Sequence, residues 1–234
     1  RNTAPSNLPT YSALIARPIG RGETRRIVIP WKARVANPAW SPDGDRIAFT
    51  VVEDAGISLW VAEASSGESR MIAGPVLNGA MGNPCQWLPG STGLLCSTVV
   101  TPRPGAPDEA VVEQYSSSQL AVIPLTGTER LVGGPGLFRQ VLLSPDGQYL
   151  LVESLHRPDS TGVPSVGPSS RTELWDLSGQ VRKVIVDRGV IDARLGSADE
   201  VAPEPRAFEW RSDAPATLVW VEAQDGGNPS AATS

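Results

Sequence analysis

Ser41-Pro42-Asp43-Gly44 returns as Ser144-Pro145-Asp146-Gly147, and no other feature restricts the fold of this chain as strongly. Each copy follows an apolar residue, Trp40 or Leu143, and precedes a β-patterned run, Arg46–Thr50 or Tyr149–Val152. Proline holds φ near the value needed at the second position of a turn, and Asp-Gly tolerates the left-handed positions of a hairpin. Strand, tight turn and strand, repeated along a chain, is the pattern of a β-propeller blade. The expected fold class is all-β: a β-propeller with three complete four-stranded blades and a half blade at each end.

The pre-turn residues Trp40, Trp87, Leu143 and Trp210 set the period, with spacings of 47, 56 and 67 residues. The blade units fall at about 34–73, 82–133 and 138–187, and the half blades at 11–30 and 206–223. In the second unit Pro89-Gly90-Ser91-Thr92-Gly93 stands where the others carry Pro-Asp-Gly. The drift in spacing lies in the connection between second and third strands. It is a few residues around Asp54–Gly56 in the first unit, but Thr101–Ser118 in the second and His156–Arg171 in the third. Strands alternate in direction, so both long loops are expected on one face and the Pro-Asp-Gly turns on the other. Loops of that length either are surface insertions or line a partner- or substrate-facing surface.

Composition narrows the class. Hydrophobic residues make up 40% and charged residues 19% of the 234, which is globular rather than disordered. No apolar run approaches the roughly 18 residues of a membrane span. The net charge of −5 and the absence of a Lys/Arg cluster argue against nucleic acid and anionic membrane as partners. The chain opens on Arg1 without Met or signal peptide and ends on a soft Asp-Gly-Gly-Asn-Pro tail. It is expected to be a piece of something longer, or a processed form. Seven tryptophans suggest a carbohydrate-stacking surface at first sight. Trp40, Trp87 and Trp210, however, precede turns, and Trp60 and Trp175 share third strands, where packing between neighbouring blades demands large flat side chains.

Catalytic residues are not expected within these 234 residues. A nucleophile elbow reads Gly-x-Ser-x-Gly, whereas Gly162-Val163-Pro164-Ser165-Val166-Gly167 is off by one and lies in a Pro-rich loop. A Ser-His-Asp site needs a histidine, and His156 is the only one. With Arg157 it opens a long loop, either as a hydrogen-bonding anchor or as a contact with substrate or another domain. One His and two Cys without clustered carboxylates give no expectation of a metal, and no cofactor is implied. Glu200 and Glu204 flank Pro203 in an acidic stretch expected to be solvated. Cys85 and Cys96 face each other if the intervening hairpin is centred between Gly90 and Ser91. They are then either two packed thiols or a disulfide, and a disulfide favours an exported protein.

Trp40-Ser41-Pro42-Asp43-Gly44-Asp45-Arg46-Ile47-Ala48-Phe49-Thr50 resembles the propeller repeats of TolB and of the prolyl oligopeptidase family of serine peptidases. Gly82-Asn83-Pro84, Ser154–Pro158, Glu173–Asp176, Phe208–Asp213 and Thr217–Gly227 look like its glutamyl endopeptidase branch. The resemblance implies the N-terminal propeller segment of such a peptidase, from about Arg34 onward. It also implies an α/β-hydrolase domain, elsewhere in the same parent chain, that carries the Ser, Asp and His triad. The partners implied are that hydrolase domain and a peptide substrate, in a periplasmic or secreted setting. The loop of the second unit is shorter here than in the family's usual form. A rival reading is a self-contained four-bladed, TolB-like propeller that binds protein or peptide.

Overall fold

The computed structural model describes residues 3–5, 7–100, 116–156, 169–189 and 204–224. They form antiparallel β-sheets in two compact units, Arg1–Pro135 and Gly136–Ser234. The all-β propeller read from the sequence is what the strands build.

In the first unit a short ribbon of β1 (Ile15–Ala16) and β2 (Arg25–Arg26) precedes a four-stranded meander. The meander comprises β3 (Arg34–Trp40), β4 (Arg46–Glu53), β5 (Gly56–Glu63) and β6 (Ser69–Leu77), each paired to the next. A second meander follows with β7 (Cys85–Trp87), β8 (Gly93–Val99), β9 (Ser118–Pro124) and β10 (Arg130–Gly136). One pairing, Leu77 with Thr98, joins the two sheets at their margin. In the second unit β11 (Phe138–Leu143), β12 (Tyr149–His156), β13 (Ser169–Asp176) and β14 (Val181–Arg188) form a meander. The paired strands β15 (Arg206–Trp210) and β16 (Leu218–Val221) complete the second unit.

Burial follows the order of strands within a blade. Six consecutive residues of β4, Ile47–Val52, are buried, and β5 is nearly as enclosed. Such strands are covered on both faces and read as continuous apolar runs rather than as alternation. The outer strand β14 is exposed along most of its length and begins Val-Arg-Lys. Phe49, 1% exposed, stacks on Trp60 at a ring separation of 6.4 Å, and Trp175 meets Phe138 edge to face at 5.8 Å. These third-strand tryptophans are core elements.

The repeated tetrapeptide builds the same turn twice. Ser41 Oγ lies 2.5 Å from Asp43 Oδ1 and accepts the Arg46 N–H at 2.9 Å, while the Gly44 N–H donates to the Ser41 carbonyl at 2.9 Å. Ser144 repeats the set with Asp146 at 2.6 Å, the Tyr149 N–H at 3.0 Å and the Gly147 N–H at 2.8 Å. Gly44 and Gly147 sit at φ of 78° and 70°, which a side chain would strain. The inner strands β3, β11 and β15 each carry an irregularity. In β3 and β15 it places Asn37 and Ala207, both three residues before the pre-turn tryptophan, at φ of 49° and 51°. Neither residue is glycine, so the left-handed backbone there is held by the surrounding sheet.

The β13–β14 turn supplies a pH-sensitive element. Asp176 accepts from Ser178 Oγ at 2.5 Å and from the N–H groups of Ser178 and Gln180 at 2.8 and 3.1 Å. It also pairs with Arg182 at 2.7 Å. These contacts, led by the Ser178 hydroxyl, hold its pKa down to about 2. A carboxylate whose folded pKa is depressed contributes stability above its unfolded value, and that contribution drains as pH falls through the folded one. The urea midpoint should therefore fall between pH 5 and pH 2, with part of the decline absent in Asp176→Asn. Identical pH profiles for the two proteins would refute this.

Candidate functional site

The seam where one blade meets the next is built by residues that the sequence places 48 to 69 positions apart. In the first unit the Asp43 N–H donates to Ser91 Oγ at 3.1 Å. Ser91, 5% exposed with φ of 53°, belongs to the turn that replaces Pro-Asp-Gly. The Trp87 indole N–H donates back to the Ala39 carbonyl at 3.1 Å. The second unit repeats both contacts. The Asp146 N–H donates to the Pro215 carbonyl at 3.0 Å, and the Trp210 indole to the Leu142 carbonyl at 3.1 Å. Within each unit the Pro-Asp-Gly turn thus touches the turn of the following blade, which puts the two on one face. The long loops expected on the opposite face lie outside the described residues for most of their length. Trp40 occupies the position of Trp87 and Trp210 but is 53% exposed.

Two clefts flank the seam of the second unit. At the turn end, Tyr149, Leu174, Asp176, Arg182, Trp210 and Leu218 line about 790 Å³. At the other end, where His156 leaves β12, a cleft of about 480 Å³ is ionic: Arg139, Arg188 and Arg206 line it together with Glu153 and Glu209. Arg139 pairs with Glu153 at 3.4 Å, and the Arg188 guanidinium donates to the Pro205 carbonyl. The strained Ala207 is part of its wall. A cleft with paired charges can orient a polar chain.

His156 ends β12 and is exposed, with its Nε2 3.4 Å from Ser154 Oγ. The two are neighbours because residues i and i+2 of a strand share a face. Ser154 Oγ also lies 3.4 Å from the Arg171 carbonyl. Among the described residues no carboxylate orients the second ring nitrogen, which the triad geometry requires. Arg157, Ser165, Glu200 and the Gly162–Gly167 stretch lie outside the described residues. Glu204, at the edge of the described part, is exposed. Cys85 and Cys96 are direct partners in the β7–β8 register and are joined by a disulfide with 4.2 Å between Cα atoms. Both are part of the apolar core of the first unit. No helix among the described residues is long and apolar enough to cross a membrane.

No family model matches the chain. It is 28% identical over 239 residues to a probable glutamyl endopeptidase, chloroplastic, of Oryza sativa subsp. japonica, covering 85% of this chain and 26% of that protein. A protein of the same description from Arabidopsis thaliana is 29% identical over 240 residues, covering 86% and 25%. Both of these relatives are probable glutamyl endopeptidases. The resemblance read from the sequence is thereby borne out, and the chain spans about a quarter of the length of the curated relatives it matches. Among solved structures, the acylaminoacyl peptidase of Pyrococcus horikoshii superposes with a TM-score of 0.53 at 16% identity, over 75% of this chain and 28% of that one. At that identity the similarity establishes the propeller fold alone. The chain is thus a propeller whose described residues carry seams, clefts and a disulfide.

Proposed function

We propose that this chain is the non-catalytic propeller part of a glutamyl endopeptidase-like serine peptidase, gating peptide access to a hydrolase domain in the same parent chain. The observation that carries the reading is the similarity to glutamyl endopeptidases along 85% of the chain. The site geometry supports it, since His156 faces Ser154 without an orienting acid among the described residues. Hydrolysis would proceed through an acyl-enzyme formed on a serine of the hydrolase domain. The propeller would screen peptides by size and form part of the wall around them, with the His156 end of the second unit and its ionic cleft as the facing surface. His156 and Arg157 are the candidate contacts, and the blade boundaries are those given by the sequence period. The disulfide suits a periplasmic or secreted location, where oxidised cysteines persist.

A self-contained four-bladed binding propeller is the second reading. It draws on the two two-stranded sheets, β1 with β2 and β15 with β16, each half the strand count of a blade.

A fluorophosphonate probe, which requires an activated serine, should leave the 234-residue chain unlabelled. Labelling of a parent protein followed by peptide mapping should place the adduct on a Gly-x-Ser-x-Gly serine beyond this segment. A stoichiometric adduct within residues 1–234 would overturn the proposal. A reading frame without such a serine would favour the binding module.

A further inference from the structure

The net charge of the chain conceals a strong local asymmetry. Between Tyr11 and Val35 there are six cations, Arg17, Arg21, Arg25, Arg26, Lys32 and Arg34, and one acid, Glu23. That stretch therefore carries +5, and the rest of the chain, with fourteen cations and twenty-four acids, carries −10. The cations alternate with apolar residues instead of forming a run, so no basic cluster stands out in the sequence. In the structure all six are exposed. Arg25 pairs with Glu23 at 3.0 Å and Arg34 donates to the Val52 carbonyl at 3.3 Å, while Arg17, Arg21, Arg26 and Lys32 point to solvent without an ionic partner among the described residues.

Apolar side chains lie exposed among these charges. Ile19 is fully exposed in the loop between β1 and β2, flanked by Arg17 and Arg21, and Trp31 is 89% exposed beside Lys32. Ile15 and Val28 are more than half exposed between them. The ribbon itself is anchored. Ile27 is 1% exposed, its N–H donates to the Leu14 carbonyl at 3.0 Å, and the Val28 N–H donates to the Gly67 carbonyl at 2.8 Å. Tyr11 and Val35 exchange two main-chain bonds at 2.7 and 2.9 Å. A surface held this way loses little ordering entropy when it binds.

We propose that residues 11–34 are a docking surface for an extended, acidic polypeptide segment of a partner protein. The segment Arg25–Pro30, which begins with β2, leads from the Ile19 loop to the Trp31 turn and spans at most about 20 Å. Cations and apolar side chains are spread along that length, as an extended peptide with alternating carboxylates and apolar residues requires. Charge decides between classes of partner. A short acidic segment meets only the +5 ribbon. A bilayer or a long polynucleotide is a wide polyanion that also meets the −10 remainder and is repelled by it. The exposed apolar groups are mostly aliphatic, which suits peptide side chains better than stacked bases.

Fluorescence anisotropy with a labelled twelve-residue peptide alternating Glu and Leu tests the proposal on the 234-residue chain. The peptide should bind, weaken as ionic strength rises from about 0.05 to about 0.3 M, and lose affinity about tenfold or more with Arg17→Glu/Arg21→Glu. The Gln-for-Glu peptide should bind at least as weakly as that variant. Arg26→Gln/Lys32→Gln provides a second reading if the first variant fails to fold by circular dichroism. Equal binding of Glu and Gln peptides, unchanged affinity in the variants, or tighter binding to phosphatidylserine vesicles or oligo-dT would overturn it.

Discussion

Trp87→Ala should lower the stability of the protein by about 3 kcal/mol, whereas Trp40→Ala should cost no more than about 0.5 kcal/mol. Both tryptophans stand directly before a blade turn, and by sequence alone they are equivalent. Trp87 packs against the core of the first unit and donates its indole N–H across the seam to Ala39, while Trp40 is half exposed. Removing Trp87 takes away buried ring surface and leaves the Ala39 carbonyl without its donor. Urea titrations of the two variants at constant m-value measure the difference directly. Equal losses would show that the seam contact contributes nothing beyond the ring's local packing.

The second large effect should follow from reduction of Cys85–Cys96. The bridge spans a sequence separation of 11, and closing a loop of that size restricts the unfolded chain by about 3 kcal/mol. For a protein of this length that corresponds to a fall in Tm of about 8 °C. Melting with and without reductant gives the shift. Alkylation before reduction should modify neither cysteine, and ready alkylation of both in the native protein would remove the bridge from the account.

How much was legible in advance depends on the range of the interaction. The blade strands follow from Ser-Pro-Asp-Gly because that turn is closed by its own atoms, Ser41 with Asp43 and Arg46. The opposition of Cys85 and Cys96 was legible from the hairpin length, though register alone does not decide between thiols and a bridge. The seam was only partly readable. Trp40, Trp87 and Trp210 share a local pattern, and what separates them is whether a neighbouring strand offers a carbonyl. The ionic cleft drew on five strands, with Arg139, Arg188 and Arg206 separated by 49 and 18 residues, and nothing in the spacing marks them as a group. The left-handed Ala207 was invisible for another reason: alanine has no preference for that conformation, and the sheet around it imposes it.

The contact between turns also sets a schedule for a chain leaving the ribosome. The strands of the first blade are all present once Leu77 has emerged, yet Asp43 waits for Ser91 and Ala39 waits for Trp87. In the second unit Asp146 waits longer, for Pro215. Synthesis at roughly 5–20 residues per second makes each delay a matter of seconds. Hairpins, by contrast, close in about 1–10 μs. The first blade of each unit therefore stands complete but unsealed, its flank open, until the inner hairpin of its successor arrives. A pause of the ribosome shortly after a blade's last strand would prolong that exposure, and a chaperone that covers sheet flanks would act in that interval.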